Sequence, residues 1–457
     1  MMTNNKHVVE TGRAPSLRKQ NTNQKMKKLI SSICIIAAII FGTQTSTAQR
    51  ILTYEEYIKN VREKNIEYII EKYNVSIAEA NEQAAKVMPD PDFSFNYENC
   101  QDWNLQMGQV YAAELGYTLE LGGKRRARIA VAKNEQQITE ALVEDFFRNL
   151  RADATLCYLE ACKQKQLVAL SFSTYQSMKE LARGDSLRCS FGEIAEVDAL
   201  QSCLESTTLM AEYYQTETDY KNMLAYLVIF EGGTAGIDSI ADVKTGRDNG
   251  VDMGRAPYLR KQYNLNDLIA LAQDNRADLK AAIRNRELSA ANLKLAKANR
   301  IIDLGLNIGF AHNTIALNEE APSPKHNTIS AGITIPLKFS SANKGELRAA
   351  QYSEQQAEEV YNMVLLQIKK EVEQCYNSYT SACRMAELLE SSALDHATTI
   401  LEKKKYSYTH GETSLLEVLD AQRTANEVFH NYYETIYNAD AALVELCRAV
   451  GIWDIEF

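Results

Sequence analysis

The chain has 457 residues, a formal net charge of −10 at pH 7 and 24% charged residues. Its length is enough for two or three ordinary domains. Because phosphate binding needs clustered lysine and arginine side chains and no dense basic stripe is present, the composition argues against nucleic acid as a partner.

The N-terminal region has the pattern of a secretory signal peptide, which we assign to residues 26–48. A basic start precedes a short apolar run that ends at Phe41, and small residues follow to the expected cleavage site after Ala48. This run is shorter than the roughly 20 residues of a membrane-spanning helix. The context of Cys34 does not support a lipid anchor. Residues 1–25 are interpreted as an upstream extension that is not part of the native protein.

The rest of the chain repeats one pattern of helix, strand pair, very long helix, glycine turn and return helix. We place the first copy at 49–231, a linker at 232–263 and the second copy at 264–457. A duplication of this size indicates that each copy lacks a complete core of its own. The copies are therefore expected to pack side by side, together with further copies from other chains.

Two long segments without glycine or proline, 124–183 and 346–410, predict very long helices. At 1.5 Å per residue, the second segment would extend for roughly 95 Å. Apolar residues follow a heptad spacing in this segment and in the return arm that follows Gly411. The pattern predicts coiled-coil hairpins, and an ordinary coiled coil without a channel remains an alternative for these segments.

Four segments alternate apolar and polar residues with a period of two, which predicts strands with one apolar face. They lie at about 92–99, 109–121, 303–312 and 328–337. Their length suits a membrane-crossing strand, although soluble hairpins give the same pattern. Since a barrel in lipid must close and needs about eight strands, four strands predict an oligomer. Two chains would give a filled barrel, and three would leave room for a passage.

Three motifs carry a family resemblance: Leu119–Arg126, Ile335-Pro336-Leu337 and the tip segment Tyr408–Ala421. With these motifs in this order, the chain resembles the TolC-like outer-membrane efflux proteins. The resemblance implies a mainly α fold with membrane β-barrel strands, in which three chains form a 12-stranded barrel and an α-helical periplasmic tunnel. It implies an exit duct of a tripartite efflux pump or type I secretion system.

The implied partners are two further copies of the chain, a periplasmic adaptor (membrane fusion protein), an inner-membrane transporter and outer-membrane lipid. No cofactor is expected. No Ser/His/Asp or Cys/His set indicates an enzyme. The alternative from another class is a periplasmic coiled-coil adaptor or scaffold without a pore.

The resemblance also assigns functional residues near the second glycine turn. Glu417 and Asp420 share a helix face and correspond to the carboxylates of a pore gate, where like charges concentrate cations. A solvated acidic face at a helix start is the alternative. Asp198 and Tyr408 correspond to a hydrogen-bonded tip lock, although Thr413 stands where a basic residue often joins it. Tyr408 at the edge of a coiled coil is equally compatible with the pattern.

The two hairpin tips are the expected docking surfaces for the adaptor, because a glycine at each tip permits a tight turn. The docking residues implied by the resemblance are Phe191, Gly192, Glu193, Ile194, His410, Gly411, Glu412 and Thr413.

Other motifs are interpreted structurally. Gly122-Gly123 lacks the spacing of a phosphate-binding loop and predicts a corner between strand and helix, with basic residues near the membrane surface. His312 and His326 are placed in one outer loop without clustered ligands, so no metal site is predicted. The cysteines after the signal peptide are expected to be small buried side chains rather than a disulfide framework.

Overall fold

The computed structural model describes residues 50–100, 106–233, 236–241, 263–337 and 342–453. The chain divides into Met1–Ile51 and Leu52–Phe457. Only the last two residues of the first unit are described. The predicted signal peptide, the predicted upstream extension and most of the predicted linker therefore lie outside the described residues.

The described residues form eight helices and six strands. In chain order these are β1 (Ile51–Leu52), α1 (Tyr54–Lys64), α2 (Ile66–Ala85), β2 (Asp92–Asn99), β3 (Gln109–Leu119), α3 (Lys124–Ser190), α4 (Glu196–Phe230), β4 (Ser239–Ile240), α5 (Leu265–Asn275), α6 (Ala277–Ala298), β5 (Leu304–Asn313), β6 (His326–Thr334), α7 (Ala342–Thr409) and α8 (Leu415–Val450). The order α1, α2, β2, β3, α3, α4 recurs as α5, α6, β5, β6, α7, α8. The fold is thus mainly helical with two strand pairs, as predicted, while the exact bounds of the two copies stay a prediction.

Each copy contains one very long helix, which continues through a glycine. Helix α3 has 67 residues, or about 100 Å, and passes Gly184; α7 has 68 residues and passes Gly345. A glycine inside a helix costs about 1 kcal/mol relative to alanine, which packing along the arms outweighs. Among the described helices, none is both long and apolar enough to cross a bilayer.

The two hairpins end in the same hydrogen-bonding pattern at Gly192 and Gly411, both of which have φ of 76°. The amide after each glycine donates to a carbonyl five residues earlier, at 2.9 Å in both tips. This pattern satisfies the last carbonyls of a helix and requires a left-handed residue, which glycine adopts without strain.

The predicted heptad seams lie mostly in the interior. Buried members are Ile368, Val372, Tyr379, Ala382 and Ala386 on α7, and Ala425, Tyr432, Ala439, Leu443, Leu446 and Val450 on α8. One apolar cluster joins Ala152 and Leu159 of α3 to Leu443 and Leu446 of α8. The two copies therefore share a core.

A buried charged residue ties the helices of the second copy to one another. Arg276, only 3% exposed, lies between α5 and α6. Its guanidinium contacts Asp278 at 2.6 Å, Glu371 of α7 at 2.7 Å and the carbonyl of Ala449 of α8 at 3.0 Å. Since burial of an unpaired charge is costly, these three partners make the position stabilising.

Strands β2, β3, β5 and β6 form an antiparallel sheet in that order. Paired residues share a face, so the register defines two surfaces. One row joins Phe93, Leu115, Ile308 and Ala331, and the next row joins Phe95, Ala113, Phe310 and Ile329. The opposite face carries Ser94, Glu114, Gly309 and Ser330. The sheet therefore has one apolar and one polar face, as the alternation predicted.

The strand ends differ from the prediction around the two histidines. His312 lies in β5 and His326 begins β6, so both belong to the sheet rather than to an outer loop. His312 pairs with Asn327 in the ladder, and their side chains are 2.7 Å apart. On the side of the β5–β6 turn, β5 ends one residue later than predicted and β6 begins two residues earlier.

The cysteines are less buried than expected. Cys447 is buried, but Cys100 and Cys203 are exposed, so the prediction of buried cysteines is wrong for these two. Cys203 lies on α4, and its sulfur is 3.7 Å from the Ser186 hydroxyl of α3.

Candidate gate at the hairpin tips

The two hairpins meet near their tips in one apolar cluster drawn from four helices. Its buried members are Met178 of α3, Leu209 of α4, Tyr408 of α7, and Leu415, Val418 and Leu419 of α8. Burial of this apolar surface holds the tips together.

A polar tie accompanies the cluster. The Tyr408 hydroxyl donates to the Asp185 carboxylate at 3.0 Å, and Asp185 is 1% exposed. The guanidinium of Arg188 lies 3.9 Å from the same carboxylate and 5.4 Å from the centre of the Tyr408 ring. Burial, and next the hydrogen bond to Asp185, raise the pKa of Tyr408 to about 12. The tyrosine therefore stays a neutral donor.

The hydrogen bond expected between Asp198 and Tyr408 is not present among the described residues. Asp198 lies in the first turn of α4, beyond the Gly192 turn, and acts on Tyr408 only as a nearby charge. The Tyr408 side chain reaches α3 instead. Arg188 supplies a basic group beside it, in place of the one that is missing at Thr413.

Asp185 and Arg188 were missed because the family resemblance pointed to only one acid in the first copy. A signal was available in the sequence. Thr174, Met178, Ala182 and Asp185 follow a coiled-coil spacing and are all buried. An acid in such a seam needs a partner, since an isolated buried charge is strongly unfavourable.

Two further ties connect the hairpins. The Lys405 amine donates to the Ser177 hydroxyl at 2.5 Å, and the Thr174 hydroxyl donates to Asn426 of α8 at 3.0 Å. Burial lowers the pKa of Lys405. Together with the Tyr408 contact, they form polar bonds at several positions along the hairpins near their tips.

The predicted gate carboxylates, Glu417 and Asp420, are both exposed and line a cavity of about 190 Å³ between α7 and α8. Lys404 of α7 lies on the same cavity, and its amine is 2.5 Å from the Glu417 carboxylate. The hydrogen bond from Lys404 lowers the pKa of Glu417. The two acids share one surface, as their spacing predicts, and their role as a gate stays a prediction. Lys404 precedes Glu417 by 13 residues, so no local spacing pointed to this lysine.

The predicted docking residues form the outermost part of each tip. Phe191 is 77% exposed, and Gly192, Glu193, His410, Gly411 and Glu412 are exposed as well. Ile194 and Thr413 are half-buried. Both tips thus present a short accessible loop.

The corner between β3 and α3 is built by the two predicted glycines, which both have φ of 73°. Lys124 follows them and is buried, with its amine 2.6 Å from Asp303. Lys124 therefore ties the start of α3 to the residue before β5, while the expected position of this corner near the membrane surface stays a prediction.

Part of the chain is similar to a known protein family. Residues 268–452 match the family model described as outer membrane efflux protein. The predicted resemblance is confirmed. This match covers α5 only in part but includes β5, β6, α7 and the whole tip with Glu417 and Asp420.

Two curated relatives extend the likeness to the first copy. The cobalt-zinc-cadmium resistance protein CzcC of Cupriavidus metallidurans is 21% identical over 367 residues, covering 80% of this chain and 82% of CzcC. The outer membrane protein TolC of Vibrio cholerae is 21% identical over 251 residues, covering 53% of this chain and 57% of TolC.

The crystal structure of CusC superimposes on this chain with a TM-score of 0.71. The superposition covers 87% of this chain and 92% of that chain at 15% identity, so the likeness concerns the fold. The chain thus has the fold of an outer-membrane efflux channel subunit, and the matches favour this interpretation over a periplasmic scaffold.

Proposed function

We propose that the chain is the outer-membrane exit duct of a tripartite efflux pump or type I secretion system, a passive channel that its adaptor opens at the tip. The observation that carries the proposal is the open four-stranded sheet. It has one apolar face, and within the described residues β2 and β6 each pair on one side only. In lipid such edges must be paired, which requires further copies of the sheet.

Three copies give twelve strands and a lumen wide enough for a passage, whereas two give a filled barrel. The exposed apolar residues support a closed ring of chains. Val197, Leu200 and Leu204 of α4 follow a three-and-four spacing and are 62–70% exposed. Within the described residues this stripe has no covering helix, and a neighbouring hairpin in a trimer would bury it.

The closed state of the duct is held at the tips in this proposal. Tyr408 and Asp185 form the lock, with Arg188 beside them and Asp198 as an outlying charge. Glu417 and Asp420 from three chains surround the periplasmic mouth and attract cations. Because the polar tie consists of few hydrogen bonds, a partner that binds the exposed tips can break it and separate the hairpins.

The adaptor is proposed to bind the loops Phe191–Ile194 and His410–Thr413 and to link the duct to an inner-membrane transporter. Replacing the 77% exposed Phe191 by serine should abolish efflux in cells while channel conductance in bilayers stays unchanged. A variant that keeps full efflux would exclude this loop as a docking surface.

The predicted export signal at 26–48 would deliver the chain to the periplasm, and the apolar sheet face would anchor it in outer-membrane lipid. Fractionation should place the mature chain, cleaved after Ala48, in the outer membrane. Recovery from the periplasmic soluble fraction would favour the adaptor or scaffold alternative.

The assembly and the pore are tested together. Native mass spectrometry of the detergent-extracted protein should give a trimer, and the trimer should conduct ions in planar bilayers. Leu200→Glu should weaken the trimer, because it places a charge in the proposed seam, whereas the adjacent exposed Gln201→Glu should not. A non-conducting monomer from the wild-type chain would refute the proposal.

A second candidate concerns the cargo, since the relative CzcC is by its name a cobalt-zinc-cadmium resistance protein. We propose divalent transition-metal ions as one cargo class for this duct. Deletion should then lower the tolerance of cells to zinc, cobalt or cadmium. Unchanged tolerance to all three metals would point to another cargo.

A further inference from the structure

The segment Lys403-Lys404-Lys405 lies near the C-terminal end of α7, close to the gate, and its lysine side chains have different surroundings. Successive residues on a helix are about 100° apart, so neighbouring lysines point in different directions. The Lys405 amine reaches Ser177 of α3 in the first copy, as described above. Lys404 instead reaches across to α8 within its own hairpin.

The partner of Lys404 is one of the two proposed gate acids. The amine of Lys404 contacts the Glu417 carboxylate at 2.5 Å, while the Ser414 hydroxyl faces the other Glu417 oxygen at 3.5 Å. Asp420 lines the same cavity one helical turn later and forms no ion pair among the described residues. The two acids therefore differ, since one is compensated at contact distance and the other is not.

We propose that Lys404 sets the charge of the periplasmic mouth by neutralising Glu417, which leaves Asp420 as the carboxylate that attracts cations. This inference rests on the proposed function of the tip as a gate. Each chain then contributes one net negative charge from these three residues instead of two. Because both partners of the pair lie on the α7–α8 hairpin, the pair need not break when this hairpin moves away from α3.

The periplasmic mouth then has a lower affinity for multivalent cations than it would have without Lys404. Without Lys404, each of the three chains has one further uncompensated carboxylate. At about 10 Å from a trivalent ion, and screened over a Debye length of about 10 Å, these three charges lower the concentration of the ion that blocks the channel about tenfold. Lys404→Gln should therefore lower the La³⁺ concentration that half-blocks the channel about tenfold. The adjacent Lys403→Gln removes the same charge away from the cavity and should change the block much less.

The experiment records single channels of the full-length trimer in planar bilayers with La³⁺ on the periplasmic side. Glu417→Gln should raise the blocking concentration above wild type, because it leaves the Lys404 amine uncompensated. The double variant Lys404→Gln/Glu417→Gln should return close to the wild-type value, since only Asp420 then carries charge. Native mass spectrometry of each variant should give the same trimer as the wild-type chain, which shows that the assembly is intact.

Asp420→Asn separates this inference from the gate itself. If Asp420→Asn leaves the block unchanged, the gate proposal fails and the role of Lys404 fails with it. If Asp420→Asn weakens the block but Lys404→Gln behaves like Lys403→Gln, the gate stands and the role of Lys404 is overturned. A stronger block in Lys404→Gln that the double variant reverses supports the inference.

Discussion

The tie between Tyr408 and Asp185 should control how readily the closed tip opens. Tyr408→Phe removes one hydroxyl and leaves the ring in the apolar cluster. The lost bond is 3.0 Å long and ends on a carboxylate that is 1% exposed. A hydrogen bond to a charged group is worth about 1.5–3 kcal/mol, and its loss leaves Asp185 with only the more distant Arg188.

At about 1.4 kcal/mol per decade, this loss shifts the balance between closed and open hairpins about 10–100-fold in each chain. Single-channel recording should show the shift as a higher fraction of open time. The double variant Tyr408→Phe/Asp185→Ala should be less than additive, because the two single variants remove the same bond.

Asp198→Asn is the matched control, since it removes a nearby charge without breaking a hydrogen bond to Tyr408. Its open fraction should remain close to wild type. If Asp198→Asn opens the channel as much as Tyr408→Phe while Asp185→Ala does not, the lock has the residues implied by the family resemblance and the assignment to Asp185 is refuted.

Three further outcomes are expected. Gly122→Ala should lower the Tm measured from the helical signal more than Gly123→Ala does. Both glycines have φ of 73°, so the backbone strain is the same at the two positions. A Cβ at Gly122 would lie 2.5 Å from the side chain of Ile301, whereas a Cβ at Gly123 would have nothing within 4 Å. An equal loss of Tm in the two variants would contradict the steric explanation. Arg276→Ala should cost about 2–4 kcal/mol in the free energy of unfolding, because it leaves two partly buried carboxylates without their buried partner. The half-buried Arg284 pairs with Glu287 on its own helix, and its replacement by alanine should cost under about 1 kcal/mol. Similar values for both would contradict the buried tie. The lowered pKa of Glu417 means that its ion pair is present above the ordinary carboxyl range and is lost as the pH falls through the lowered pKa. Carboxyl titration by NMR should therefore give a higher pKa for Glu417 once its lysine partner is replaced by glutamine, and an unchanged pKa would disprove the pairing.

Much of the architecture is a property of local sequence. The heptad spacing on α7, the period-two alternation from Phe93 to Tyr97 and the glycines at 192 and 411 each describe a few neighbouring residues. Helix and strand geometry translate such patterns directly into faces and turns. The sheet with one apolar face and the paired hairpin tips could therefore be predicted without coordinates.

The functional contacts at the tip depended on residues far apart in the chain. Tyr408 and Asp185 are separated by 223 positions, and no local pattern states which of two acids, Asp185 or Asp198, lies within reach of the hydroxyl. The family resemblance suggested Asp198, which follows the Gly192 turn. The packing of α7 against α3 instead brings Tyr408 to Asp185, which precedes that turn.

The sequence by itself determined the long helices, the alternating strands, the turn glycines and the position of Glu417 and Asp420 on one surface, because these follow from spacing along a single element. Only the tertiary structure decided which helices pack together, and with them the partners of Tyr408 and Glu417. A hydrogen bond or an ion pair needs atoms within about 3 Å. That distance is fixed by the packing of whole helices and cannot be read from either segment alone.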